Sequence, residues 1–230
     1  MNPGVSLLMF LRGQMSAAKM LTYWVAQFLG ALIASSLVWG CTSGLTGSLE
    51  QGRPPFTLGS TTLADELNVG NGFLIELMGA IVFYFVIAQT ALDKRGIATT
   101  AFPAIPIGLI LVVVHVCLIP FTGCGGTYSW TEYHTVETIL SCTVFTYSVN
   151  PARTFGPSVV TCMAGNSEDC SAVANGSWYW IYYIAPAMAA FVVAEITTAM
   201  QMKVEEDRMV DKHMNAVPEG PIVMDTELAA

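Results

Sequence analysis

The chain has 230 residues, of which 53% are hydrophobic and only 11% charged, with a mean hydropathy of +0.56 and a formal charge of −8. Soluble domains carry about 25% charged residues, so the composition excludes an ordinary soluble globule and points to a multi-pass integral membrane protein. There is no basic stripe for nucleic acid, and the six cysteines lack the paired spacing of a zinc site.

In chain order, Asn2-Pro3-Gly4 opens a short apolar stretch over residues 5–11. A spanning helix needs about 20 mostly apolar residues. Four stretches qualify: 21–40, 73–92 with Glu76 inside it, 101–121 with His115, and 178–200 with Glu195. Between the third and fourth lies Asn150-Pro151-Ala152-Arg153, followed by a second short apolar stretch over 155–163. Neither short stretch is long enough to span, so both read as re-entrant half-helices. Cys162 and Cys170 flank a small polar loop and could pair if that loop lies outside, against the alternative of free cysteines, which are common in apolar chains. Residues 203–230 carry seven acidic and three basic residues and read as a flexible acidic cytosolic tail.

Basic residues set the orientation. Arg12, Lys19, Lys94, Arg95, Lys203, Arg208 and Lys212 fall on one face of a four-span arrangement; Arg53 and Arg153 fall on the other. The positive-inside rule then puts both chain ends in the cytosol. An internal repeat supports this: Tyr23-Trp24-Val25 heads the first span and Tyr179-Trp180-Ile181 the fourth, each after an Asn-Pro stretch. The two copies run in opposite directions, an inverted-topology repeat. Two spans precede Asn150 and none precedes Asn2, so the repeat implies about two further spans upstream. The expectation is a six-span fold lacking its first two helices.

Asn is a strong N-cap and Pro suits the first helical turn, so Asn-Pro starts a helix. Two such helix N-termini facing each other at mid-membrane would create a positive potential that admits water and disfavours cations. A single Asn-Pro more often marks a mere turn; two copies with repeat-related spans favour the pore reading. Arg153 at membrane depth is costly and reads as functional, against the alternative of a snorkelling surface arginine. His115 alone reads as a core histidine on a backbone carbonyl; its place on the span leading to Arg153 raises its interest. Glu76 and Gln27 are candidate buried polar residues, with Glu76 expected to accept from re-entrant backbone N–H groups. Tyr182 and Tyr183 read as packing residues.

These motifs, with Thr122-Gly123-Cys124 and the Gly30-Ala31 pair near Gln27, resemble the aquaporins of the major intrinsic protein family. The resemblance covers about residues 1–202. It implies an all-α membrane fold with an inverted repeat, here four spans matching the family's third to sixth, and two half-helices. It also implies a homotetramer in the bilayer with one water pore per subunit. Asn2, Pro3, Gly4, Asn150, Pro151 and Ala152 match the family's two central motifs, with Gly4 in place of the usual Ala, a small change that is expected to loosen the start of that half-helix because glycine lowers helix propensity. His115, Cys124 and Arg153 match its selectivity filter, whose aromatic member has no counterpart here. Thr154 stands where glycerol facilitators have Asp, and Ser158, Tyr182 and Tyr183 stand where water-selective members place small and then aromatic residues; with His115 narrowing the pore, the resemblance implies water rather than glycerol. Residues 126–148 form an atypical insert; with it present, Tyr147 takes the spacing that Cys124 would have. The insert reads as a retained intron and Met1 as an internal methionine. A full-length transcript carrying these codons, with Met1 at its true start, would refute that.

The expected function is passive water conduction without cofactor, metal or catalysis, in the plasma membrane or an internal membrane. The alternatives are a channel for another small neutral solute, such as glycerol or hydrogen peroxide, and a non-conducting truncated subunit that assembles with full-length partners. An enzyme or pump is disfavoured by the lack of a phosphate loop, a nucleophile–base pair or paired acids.

Overall fold

A computed structural model of the chain describes residues 2–42, 58, 61, 63, 67–92, 102–122, 148–163 and 179–215. Among the described residues all regular structure is helical: α1 (Pro3–Leu11), α2 (Ala17–Thr42), α3 (Val69–Ile87), α4 (Ala104–Thr122), α5 (Pro151–Met163) and α6 (Ile181–Asn215). By length and composition, α2, α6 and α3 with its extension are apolar enough to cross a membrane. The third expected span, 101–121, falls on α4, of 19 residues, a shorter apolar helix than these three.

Local chemistry sets the helix ends. Asn2 is extended (φ −140, ψ 119) and caps α1, with Pro3 in the first turn. Gly13, at φ +66, ends that helix in the left-handed region; its N–H donates to Phe10 O (2.9 Å), and Gln14 N–H donates to Met9 O (2.8 Å). Asn68 caps α3 by accepting from Asn71 N–H at 2.8 Å. The far end of α3 widens into a π-helical segment, Ala88–Leu92.

The helices pack through small residues. The main contact of α3 is with α6, where Ala80, Ala185, Ala189 and Ala190 are fully buried. Helices in lipid gain little from apolar burial as such, so close backbone approach through such residues supplies the attraction. The short α5 packs on α2, where Gly156 lies against the Ala31 carbonyl and Phe155 meets Phe28 edge-on at 5.1 Å. The outward faces stay apolar: Val25, Leu29 and Ile33 on α2 and Leu109, Val112 and Val116 on α4 are all exposed, as suits a lipid solvent.

One expectation needs correction. The acidic segment from Lys203 was expected to be flexible, yet α6 continues as helix to Asn215. Opposite charges there fall at helical spacing (Lys203 with Asp207, Glu205 with Arg208), and Lys212 and His213 sit in the last turn, where cations suit the helix dipole. Cys162 is disulfide-bonded. Cys170, the partner that the sequence suggests as one alternative, lies outside the described residues, along with Cys124 and most of the 126–148 insert.

Candidate functional site

The two Asn-Pro helices meet in the interior through their N-terminal ends. Asn2 Oδ1 accepts from Gly4 N–H at 2.9 Å, closing the cap of α1. Asn150 Oδ1 accepts from Ala152 N–H (3.1 Å) and Arg153 N–H (3.4 Å), doing the same for α5. Each cap uses the amide oxygen and leaves the amide nitrogen as a donor. Asn2 Nδ2 spends one hydrogen on Val149 O at 2.8 Å, tying the first half-helix to the residue before Asn150.

Val149 is the pivot of this junction. Its φ of +43 is unusual for a β-branched residue, and surrounding contacts must hold it there. Its N–H donates to Glu76 Oε2 at 3.2 Å, and its carbonyl accepts from Asn2 Nδ2 and from the Tyr84 hydroxyl at 3.1 Å. Glu76, Tyr84 and Val149 are all buried. The sequence offered no sign of Tyr84 or Val149 as part of the site. Only the positive φ and the convergence of three partners reveal them.

Further bonds fix the half-helices to the spans. Trp24 Nε1 donates to Pro3 O at 3.0 Å, and Gln27 Nε2 donates to Ser6 Oγ at 3.0 Å. In α5 the Thr154 hydroxyl is within bonding distance of Ser148 Oγ (2.5 Å) and accepts from Thr61 Oγ1 (3.0 Å). Tyr179 OH and Ser158 Oγ both donate to Thr154 O. Tyr182 OH donates to Thr122 O at 3.0 Å, joining α6 to the end of α4.

A cavity of about 360 Å³ opens between α2 and α5, walled by Ala26, Gln27, Gly30, Ala31, Asn150, Ala152 and Arg153. Two of its wall residues carry buried polar atoms without a protein hydrogen-bond partner among the described residues, Gln27 Oε1 and Arg153 Nη1. Pro157 has no N–H to give the Arg153 carbonyl four residues back, so α5 lacks that helical bond too. A small-residue wall beside a few polar groups suits water or a small neutral solute. Two helix N-termini and a guanidinium bring positive potential to this junction, which disfavours cations, and the buried Glu76 carboxyl behind it offsets part of that potential.

Asn150, Ala152, Arg153 and Gln27 therefore share one cavity, and Asn2, Pro3 and Gly4 adjoin it through Val149. His115 is not among the residues walling it. Its Nδ1 lies 2.7 Å from Leu111 O on its own helix, and α4 packs on α3. Glu76 is held behind the junction on the Val149 N–H.

Comparison with known proteins agrees with this architecture. The family model "Major intrinsic protein" matches residues 1–126. Human aquaporin-1 is 31% identical over 187 residues, covering 81% of this chain and 53% of that protein. Aquaporin FA-CHIP of Pelophylax lessonae is 27% identical over 213 residues, covering 91% of this chain and 62% of that protein. The chain thus spans about half the length of the curated relatives it matches. Among solved structures, the aquaglyceroporin of Plasmodium falciparum superposes with a TM-score of 0.58 at 17% identity, covering 84% of this chain and 69% of that one, a likeness of fold. With the family model matching more than half of its residues, the chain belongs to the major intrinsic protein family.

Proposed function

We propose that the chain forms part of a passive channel for water, with Asn2, Asn150 and Arg153 as the groups that contact the solute. The observation carrying this reading is the cavity that gathers Asn150, Arg153 and Gln27 beside two Asn-capped helix N-termini. Water accepts from the asparagine amides and the guanidinium, and donates to carbonyls left open by the helix geometry. Each helix N-terminus disfavours a nearby cation by about 0.3–1 kcal/mol, and Arg153 adds a full charge. The wall is therefore suited to neutral solutes. Thr154, buried and bonded to Ser148, brings no carboxylate to the site, which favours water over glycerol. The reading includes a homotetramer in the bilayer, chain ends in the cytosol, and a channel that is not an enzyme.

A second reading is a non-conducting subunit that assembles with longer relatives. It draws on an apolar groove of about 760 Å³ between α2, α5 and α6, lined by Leu21, Phe28, Leu32, Phe155 and Tyr183 among others. Stopped-flow swelling of proteoliposomes in sucrose and glycerol gradients separates these readings. Water flux above that of empty vesicles with little glycerol flux supports the first. Comparable glycerol flux points to a broader solute channel. Cross-linked tetramers with background permeability to both point to the assembling subunit.

A further inference from the structure

Gly4 and Tyr84 are 80 residues apart in sequence and in direct contact in the fold. A Cβ built on Gly4 would overlap the Tyr84 hydroxyl and lie 2.8 Å from its Cζ. Tyr84 is fully buried in α3, so its ring cannot swing aside into open space. The phenol occupies the volume that an alanine methyl would need at the third position of the Asn2-Pro3-Gly4 motif. Its hydroxyl is also within bonding distance of two groups of the junction, Val149 O at 3.1 Å and Asn2 Oδ1 at 3.4 Å. One phenolic proton serves one acceptor at a time, so the hydroxyl bridges the two half-helices by either bond.

We propose that Tyr84 is a positioning residue for the Asn2 amide, acting in a matched pair with Gly4: the glycine makes room for the phenol, and the phenol holds Val149 O and Asn2 Oδ1 in register. Gly4 then does not simply loosen the start of α1. It is the condition for a second tie between α1 and the turn before Asn150, beside the bond from Asn2 Nδ2 to Val149 O. Trp24 and Gln27 hold α1 from the α2 side, and Tyr84 holds it from α3. That this tie matters for conduction rests on the proposed pore; the pairing itself does not.

The test uses the full chain purified in detergent, with two readouts independent of permeability. The first is a thermal cycle of Gly4→Ala, Tyr84→Leu and the double variant. Gly4→Ala alone is expected to lower the Tm by about 5 °C, because overpacking outweighs the gain in helix propensity. In the Tyr84→Leu background the same Gly4→Ala change is expected to be neutral or to raise the Tm, since the leucine reaches neither the hydroxyl nor the Cζ position. Equal effects of Gly4→Ala in both backgrounds would overturn the pair. The second readout is the side-chain amide resonance of Asn2 in ¹⁵N-asparagine-labelled protein, assigned by its loss in Asn2→Asp. Tyr84→Phe, which keeps the ring, is expected to shift it while leaving the Asn68 amide in place. An unmoved Asn2 resonance would overturn the positioning role. A chain that passes both tests yet shows no water flux would refute the proposed function and leave this inference standing.

Discussion

Replacing Gly156 by alanine should destabilise the protein, although alanine is the better helix former. A Cβ at Gly156 would lie 2.5 Å from the Ala31 carbonyl oxygen, 2.7 Å from its carbon and 2.8 Å from Ser35 Oγ. Comfortable contacts of carbon lie near 3.5 Å, so α2 and α5 would have to separate by roughly 0.5–1 Å. The obstacle is backbone, which cannot rotate out of the way as a side-chain tip can. Overpacking of this kind costs about 1–3 kcal/mol, and the Gly-to-Ala change returns about 1 kcal/mol of helix propensity. The upper part of the range applies here, leaving about 1–2 kcal/mol of net loss. At roughly 2–4 °C per kcal/mol for a chain of this size, the Tm should fall by about 2–8 °C. Tryptophan fluorescence on a heating ramp, in one detergent at one scan rate, measures this directly. A Tm equal to or above that of the unmodified protein would refute the close α2–α5 crossing. Gly156→Ser should behave at least as badly.

Other expectations concern the junction. Glu76→Ala leaves the buried Val149 N–H without its acceptor and opens a cavity, a loss of about 2–4 kcal/mol, whereas Glu76→Gln keeps an acceptor oxygen and should fall well short of that. Equal thermal shifts for the two variants would refute the acceptor role. Tyr182→Phe removes the donor to Thr122 O and should cost about 1–2 kcal/mol, read as a Tm decrease; no change would count against the α6–α4 tie. Arg153→Val widens the cavity and removes its charge, so glycerol flux relative to water should rise in a paired swelling assay. An unchanged ratio would dismiss Arg153 as a filter.

The sequence made legible those features that depend on neighbouring residues. Asn before Pro caps a helix by local geometry, and both asparagines accept from the N–H groups just after them. The apolar runs over 21–40 and 73–92 fall within α2 and within α3 with its π-helical extension, because lipid demands long apolar helices whatever their partners. Features that depend on distant partners were not legible. The left-handed conformation of Val149 contradicts its own propensity and is held by Glu76, Tyr84 and Asn2 from other elements. Gly4 read as a weak helix start because nothing local shows that a tyrosine 80 residues on fills the space beside it. The helical continuation past Lys203 was missed for another reason: the low hydropathy of 203–215 masks i,i+3 and i,i+4 charge pairing that supports an exposed helix.

Stopped-flow light scattering on proteoliposomes of the full chain, with Asn150→Asp and Arg153→Val controls, tests the central claim most directly. The account predicts osmotic water permeability above that of protein-free vesicles, no accompanying proton leak, and a changed water-to-glycerol ratio in the Arg153 variant. Water permeability indistinguishable from that of protein-free vesicles, in preparations shown to hold folded protein in the bilayer, would contradict it.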